Sequence, residues 1–312
     1  MGIKITLEPI EMIQRDLNII DRSEELKEAL LAITAKRHIL IEGPVGVGKT
    51  VLAEALARFF KRKIYRVDGD ERYTEHKLTG WFDPPLVMSK GYTREAFIEG
   101  PLTQAMLDGA FLFINELNRM PEGTQNVLLP AMDERKIVIP RIGTVEAKEG
   151  FLIIATQNPE EYIGTSRLSE ALKDRFVLIK LDYQSEEDEQ AIVKKETGST
   201  DDELVKLAVR ITRRTRECAE IRRGASVRGA IDLVAIAERM LTKNIAELQA
   251  SERREVIERA AIMALSSKIE IREGSYRKLV EILKKIINDL LCEQTIFKSD
   301  KAEETLDRSK NF

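Results

Sequence analysis

Cysteine is scarce in this 312-residue chain: Cys218 and Cys292 lie far apart, in segments that read as helices. A disulfide framework has no basis here, and a buried structural role is the expectation for both. Histidine is equally rare. His38 abuts a short apolar run and His76 lies in a polar stretch; neither has a partner at ligand spacing, so no metal site is expected at either. No apolar run approaches the roughly 20 residues that span a bilayer, and the longest notable one, Phe111 to Ile114, has the length of a strand. The opening Met1-Gly2-Ile3-Lys4 lacks a secretory core, so the cytoplasm is the expected compartment. A dominant charge is also missing. Lys+Arg number 50 against Asp+Glu 53, a net charge of -3. That balance gives no overall pull toward nucleic acid or an anionic membrane. No internal repeat is visible.

What is present is a globular composition, 43% hydrophobic, in a chain long enough for two domains. Residues 24–36 repeat apolar side chains at spacings of three and four, which predicts a helix. His38 to Ile41 is a short apolar run ending in Glu42-Gly43-Pro44, and residues 50–60 again repeat at helical spacing. Further strands are predicted at Lys63 to Val67, Phe111 to Asn115, Phe151 to Ala155 and Val177 to Leu181. Such alternation argues for a parallel sheet covered on both faces. Residues 72–100, with five Gly or Pro, read as an insertion, and residues 136–148 as a β-hairpin. After Asp182 only helices are predicted, at 186–197, 201–217, 226–241, 251–267 and 275–292. The expected organisation is an α/β domain over 1–184, an all-helical domain over 185–292 and a frayed tail over 293–312.

Gly43-Pro44-Val45-Gly46-Val47-Gly48-Lys49-Thr50 fits the pattern G-x-x-x-x-G-K-[ST], placed between a strand and a helix. Glycines let successive N–H groups turn inward onto phosphate oxygens, and the helix that continues through Val51 adds the positive end of its dipole. Lys49 is expected to reach the β- and γ-phosphates of ATP or the β-phosphate of ADP, and Thr50 to ligate Mg²⁺. Downstream, the buried strand Phe111 to Asn115 delivers Glu116, a carboxylate able to orient a water. The strand from Phe151 delivers Asn158, an amide able to hold that water.

With these motifs in hand, the chain resembles the MoxR family of AAA+ ATPases over most of residues 15–240. Gly100-Pro101-Leu102 with Asn115-Glu116-Leu117-Asn118-Arg119-Met120-Pro121 is similar to the family's second nucleotide motif. Gln125, Leu128, Leu129 and Met132-Asp133-Glu134 fit the helix after it. Ala155-Thr156-Gln157-Asn158-Pro159-Glu160 is similar to its sensor-one segment. Gly164-Thr165, Leu168-Ser169-Glu170-Ala171 and Asp174-Arg175-Phe176 resemble its arginine-finger segment, and Gly224-Ala225-Ser226-Val227-Arg228 its sensor-two start of the lid.

The resemblance implies an AAA+ P-loop parallel-sheet domain with a helical lid, in which the Asn158 strand lies between the other two motif strands. It implies ATP/ADP and Mg²⁺ as ligands and a homo-oligomer in the form of a hexameric ring. It makes Glu116 the catalytic base, sends Arg175 to the neighbouring subunit's γ-phosphate and Arg228 to the subunit's own nucleotide, and sets Ile19-Ile20-Asp21-Arg22 near the adenine. A protein client is implied, with a von Willebrand factor A domain protein as one candidate. Rival readings are a metal-chelatase-like motor subunit, a DNA-directed AAA+ motor and a nucleotide-gated scaffold with weak turnover.

One departure stands out. Asn115 occupies a position where the family usually has aspartate near Mg²⁺. From sequence alone, Asn115→Asp is therefore expected to raise turnover or tighten Mg²⁺ binding. Trp81-Phe82 is expected to pack within the insertion. Arg210, Arg213, Arg214, Arg216, Arg222, Arg223 and Arg228 are expected to form a solvated face with subunit contacts, in preference to a nucleic-acid patch.

Overall fold

The computed structural model describes residues 7–159, 168–241, 248–272 and 279–292. Its contacts fall into two compact units, one ending at Asp182 and the other beginning at Tyr183. The tail over 293–312, the first residues of the helix predicted from 275, and Glu160, Gly164 and Thr165 lie outside the described residues.

The first unit opens with α1 (Leu7–Asp16), α2 (Ser23–Thr34), β1 (His38–Glu42), α3 (Lys49–Phe59) and β2 (Ile64–Asp68). The insertion follows as α4 (Glu75–Thr79), β3 (Gly80–Phe82), α5 (Pro84–Lys90) and β4 (Phe97–Glu99). Then come α6 (Pro101–Asp108), β5 (Phe111–Asn115), α7 (Glu122–Asn126), α8 (Leu128–Asp133), and the strands β6 (Lys136–Ile139) and β7 (Gly143–Glu146). The unit closes with β8 (Leu152–Gln157), α9 (Glu170–Lys173) and β9 (Phe176–Lys180).

Five strands form one parallel sheet in the order β2-β5-β8-β1-β9. Its central strands read as unbroken apolar runs because both faces are covered: Ile39, Leu40 and Ile41 are buried, as are Phe111 to Ile114 and Leu152 to Ala155. The outer strands β2 and β9 bury fewer side chains, Val67 on β2 and Ile179 on β9. Truncating a core ring such as Phe111 or Phe113 to alanine removes about 3–5 kcal/mol. β8 runs between β5 and β1, the order the resemblance implied.

His38 is a core residue at the amino end of β1. Its Nδ1 accepts the Ile153 N–H at 2.9 Å, and its ring meets Phe151 and Phe176 edge-on. Burial pushes its pKa down to about 4, so the imidazole is neutral at pH 7.

Residues 72–100 fold as a small lobe, with β3 and β4 antiparallel. Phe82 packs on Phe97 and Tyr92, while Trp81 stays 44% exposed. The packing expected of the Trp81-Phe82 pair thus holds for one ring only. The hairpin of β6 and β7 buries Ile137, Ile139 and Val145 on one face, and its Arg141 stacks 3.6 Å over the Tyr92 ring.

The second unit comprises α10 (Glu186–Thr197), α11 (Asp202–Glu217), β10 (Ile221–Arg223), α12 (Val227–Met240), α13 (Ala250–Leu265), β11 (Glu270–Ile271) and a helix, α14, over 279–292. The expectation of helices alone is corrected by an antiparallel ribbon of β10 and β11. Strands of three and two residues carry no readable period, and Ile221 is their one buried anchor. α11 turns Leu204, Leu207, Ala208 and Ile211 inward at helical spacing. Its arginines are matched by acids: Arg210 pairs with Glu186, and Arg213 and Arg216 both pair with the buried Glu189. Arg222 pairs with Glu270. Cys218 is half-buried and Cys292 is exposed, which corrects the expectation of two buried thiols.

Candidate functional site

Parallel strands deliver their following residues to a common edge. The carboxyl ends of β1, β8 and β5 therefore bring together the glycine loop, Asn158 and Glu116. Gly46 and Gly48 hold φ of 82° and 92°, a region open to glycine and strained for other residues. Val47 is buried and anchors the loop; Pro44 and Val45 are half-buried, and Val51 on α3 is exposed. The Lys49 ammonium donates to the carbonyls of Gly43 at 2.6 Å and Pro44 at 2.7 Å, so it lies over the concave side of the loop. Thr50 stands in the first turn of α3, half-buried.

Gly43 has a different constraint. A Cβ there would lie 2.2 Å from the Leu181 carbonyl oxygen, and backbone cannot yield as a side chain can. Gly43→Ala is expected to cost about 1–3 kcal/mol of stability and to displace the loop. Differential scanning calorimetry with an ATP titration checks this: an unchanged melting temperature together with unchanged affinity would contradict the close approach.

Arg22 was not singled out for the loop by sequence. It is buried, and its Nη2 donates to the Val47 carbonyl at 3.0 Å and the Asp182 carbonyl at 2.6 Å, while Nη1 pairs with Glu25. It braces the outer side of the loop. Both Asp21 and Arg22 have positive φ, which shapes the sharp turn before α2.

Beside the loop, Glu116 has φ 56° and ψ 53°, left-handed and unfavourable for a glutamate. Its carboxylate pairs with Arg119 at 3.0 Å. Its backbone N–H donates to the Thr156 hydroxyl at 2.9 Å, and that hydroxyl donates to the Asn115 Oδ1 at 3.1 Å. Asn115 Nδ2 in turn donates to the Asp68 carboxylate at 3.0 Å. Arg66, and then the Asn115 amide, hold the Asp68 carboxyl below its ordinary range. The network crosses β2, β5 and β8. Gln157 also hydrogen-bonds Glu42 across β8 and β1, and Asn158 is buried.

Oxygen donors suited to a hard cation are present here: the Thr50 hydroxyl, the Asn115 amide oxygen and the carboxylates of Glu116 and Asp68. The donor chemistry fits Mg²⁺.

Arg175 lies elsewhere. It precedes β9 at the amino end of the sheet, where Phe176 pairs with His38. Glu42 and the loop are at the opposite end, about 15 Å along a five-residue strand. Its Nε and Nη2 both reach the Asp133 carboxylate at 2.7 Å, and Nη1 bonds the Ala171 carbonyl. Arg175 holds the Asp133 carboxyl below its ordinary range. This edge also lines a cavity of about 1170 Å³ bounded by His38, Asp133, Arg135 and Arg175. Arg228 belongs to the second unit, in the first turn of α12. Ile19 and Ile20 precede the turn braced by Arg22.

Residues 38–176 match the AAA domain of the dynein-related subfamily. An uncharacterized protein of Staphylococcus epidermidis is 31% identical over 238 residues, 73% of this chain and 90% of that one. YojN of Bacillus subtilis, also uncharacterized, is 35% identical over 182 residues; the match spans 58% of this chain and 59% of YojN. Among solved structures, a Thermotoga maritima RuvB mutant superposes with a TM-score of 0.52 at 20% identity, covering 78% of this chain and 71% of RuvB. NtrX of Brucella abortus, in complex with ADP, gives a TM-score of 0.51 at 16% identity, with 82% and 65% covered. Likeness at these identities concerns the fold: a P-loop parallel sheet followed by a helical region.

Proposed function

We propose a function on one premise: the chain belongs to the AAA family, in its dynein-related subfamily. It is a MoxR-type ATPase whose sites form between neighbouring copies in a ring, and it uses ATP to remodel or assemble a partner protein. The observation that carries this reading is the division of the proposed machinery between opposite edges of one sheet. The phosphate loop, Glu116 and Asn158 share the carboxyl edge, while Arg175 stands on the amino edge. One copy therefore cannot bring its own Arg175 to its own γ-phosphate, whereas a neighbour's amino edge can.

In this reading the loop N–H groups and Lys49 bind the phosphates, and Glu116 accepts a proton from water held by Asn158. Thr50 and Asn115 hold Mg²⁺, whose charge offsets that of the β- and γ-phosphates. Arg175 from the next subunit neutralises the γ-phosphate, and Arg228 follows the nucleotide from the lid. The client is a protein, with a von Willebrand factor A domain protein as the candidate to try first. A DNA-directed motor has less support, because the lid arginines Arg210, Arg213, Arg216 and Arg222 are paired with acids. A slow, nucleotide-gated scaffold is the second reading, favoured by the neutral Asn115 beside Glu116.

Glu116→Gln is the test. Turnover is expected to fall about 10²- to 10⁴-fold, the usual worth of a general base, with ATP affinity retained and client held in the ATP-bound state. Phosphate release, ATP titration and pull-down with and without ATP measure the three. Full turnover in the variant would remove Glu116 from the chemistry. A wild-type chain that binds ATP without turnover, even when assembled, would favour the scaffold.

A further inference from the structure

We propose that Asp68 is a positioning residue for Glu116, acting through the Asn115 amide and the Thr156 hydroxyl. This rests on the reading of Glu116 as the base. Asp68 closes β2 and stands in register with Asn115 at the end of β5. Between Asp68 and Glu116 run three hydrogen bonds of 3.0, 3.1 and 2.9 Å.

Each link constrains the next. An ionised carboxylate only accepts, so Asp68 takes the Nδ2 face of Asn115 and turns Oδ1 toward β8. Oδ1 accepts the Thr156 hydroxyl proton, which leaves the hydroxyl oxygen to accept the Glu116 N–H. Thr156 is fully buried, so its hydroxyl has no water to substitute for a lost partner. The link ends on a residue with φ 56°, a conformation that persists only where surrounding contacts hold it. Arg66 holds Asp68 as well: its Nη2 donates at 2.9 Å to Oδ1, the same oxygen that accepts from Asn115, and its Nε lies 3.2 Å from Oδ2.

This arrangement supplies a reason for asparagine at 115. The position must donate to Asp68 and accept from Thr156 at once, and an amide does both. A carboxylate there would face Asp68 with two acceptors and no proton between them. The sign expected from sequence for Asn115→Asp is thereby reversed. Asp68 and Asn115 form a matched pair, one carboxylate and one amide, and the pair still closes when its members are exchanged.

Four variants test this, each read by turnover at saturating ATP, ATP affinity and melting temperature. Asp68→Ala and Asn115→Asp are each expected to lose about 10- to 100-fold in turnover, the scale of a small misplacement of a catalytic group, with ATP still bound. Asp68→Asn keeps an acceptor and is expected to lose less than Asp68→Ala. The double variant Asp68→Asn/Asn115→Asp restores the amide–carboxylate bond in reverse and is expected to regain most of the turnover and melting temperature lost in Asn115→Asp. Wild-type turnover in Asp68→Ala, or no rescue of Asn115→Asp by Asp68→Asn, overturns the proposal while leaving the function intact. Absence of turnover in the wild-type chain overturns both.

Discussion

Lys49→Ala is expected to abolish ATP binding at millimolar nucleotide. The Lys49 ammonium donates to the carbonyls of Gly43 and Pro44, which places its charge over the loop that the glycines open. Incoming phosphate oxygens are stronger acceptors than those carbonyls, being charged, so the ammonium exchanges toward them. Bonds to charged groups contribute about 1.5–3 kcal/mol each, and losing two lowers affinity at least about 100-fold. Alanine also leaves the Gly43 and Pro44 carbonyls without their donor, which loosens the cradle itself. Isothermal titration with ATP and Mg²⁺ measures the effect, with melting temperature as the folding control. Wild-type affinity in a folded variant would remove the loop from the site, and with it the proposed function.

Arg175→Ala is expected to lower turnover by about 10³ to 10⁵, the worth of an arginine supplied to a transferring phosphoryl group, without loss of ATP affinity. The guanidinium is already oriented by Asp133 and the Ala171 carbonyl, and its distance from its own loop prevents it from serving that loop. Mixing discriminates trans from cis. Arg175→Ala subunits retain Glu116, and Glu116→Gln subunits retain Arg175. A shared interface of the right polarity therefore contains one complete set, and activity should return when the two are combined and subunit exchange has been verified. No recovery in a verified mixture would contradict action in trans. Recovery without assembly would contradict it equally.

Much of the first unit was legible because buried parallel strands read as continuous apolar runs. Phe111 to Asn115 was placed to the residue, and β1 and the glycine loop followed from a motif whose order is strand, loop, helix. The strand ends were less visible. β2 reaches Asp68 and β8 reaches Gln157, each ending in a polar side chain that carries no apolar signal. That is why Asp68 was missed, and with it the partner of Asn115. The available signal was that Asp68, Asn115 and Gln157 each close a strand of the sheet with a polar group. Arg22 was placed near the adenine on resemblance; its reach to Val47 depends on a turn with two positive φ values in succession, which periodicity does not reveal. In the second unit the helices were read from their spacing, whereas the ribbon of β10 and β11 was too short to register.

The opposition of the two sheet edges has a consequence for counting. If Arg175 acts in trans, a two-fold dimer joined through one sheet edge alone apposes either two loops or two Arg175 side chains and completes no site. Head-to-tail stacking instead joins the amino edge of each copy to the carboxyl edge of the next. An open stack then has one complete site fewer than it has subunits, with an orphan half-site at each end. Closure converts those two halves into one more working site, so specific activity rises with stack length and reaches its ceiling only when the last gap is sealed.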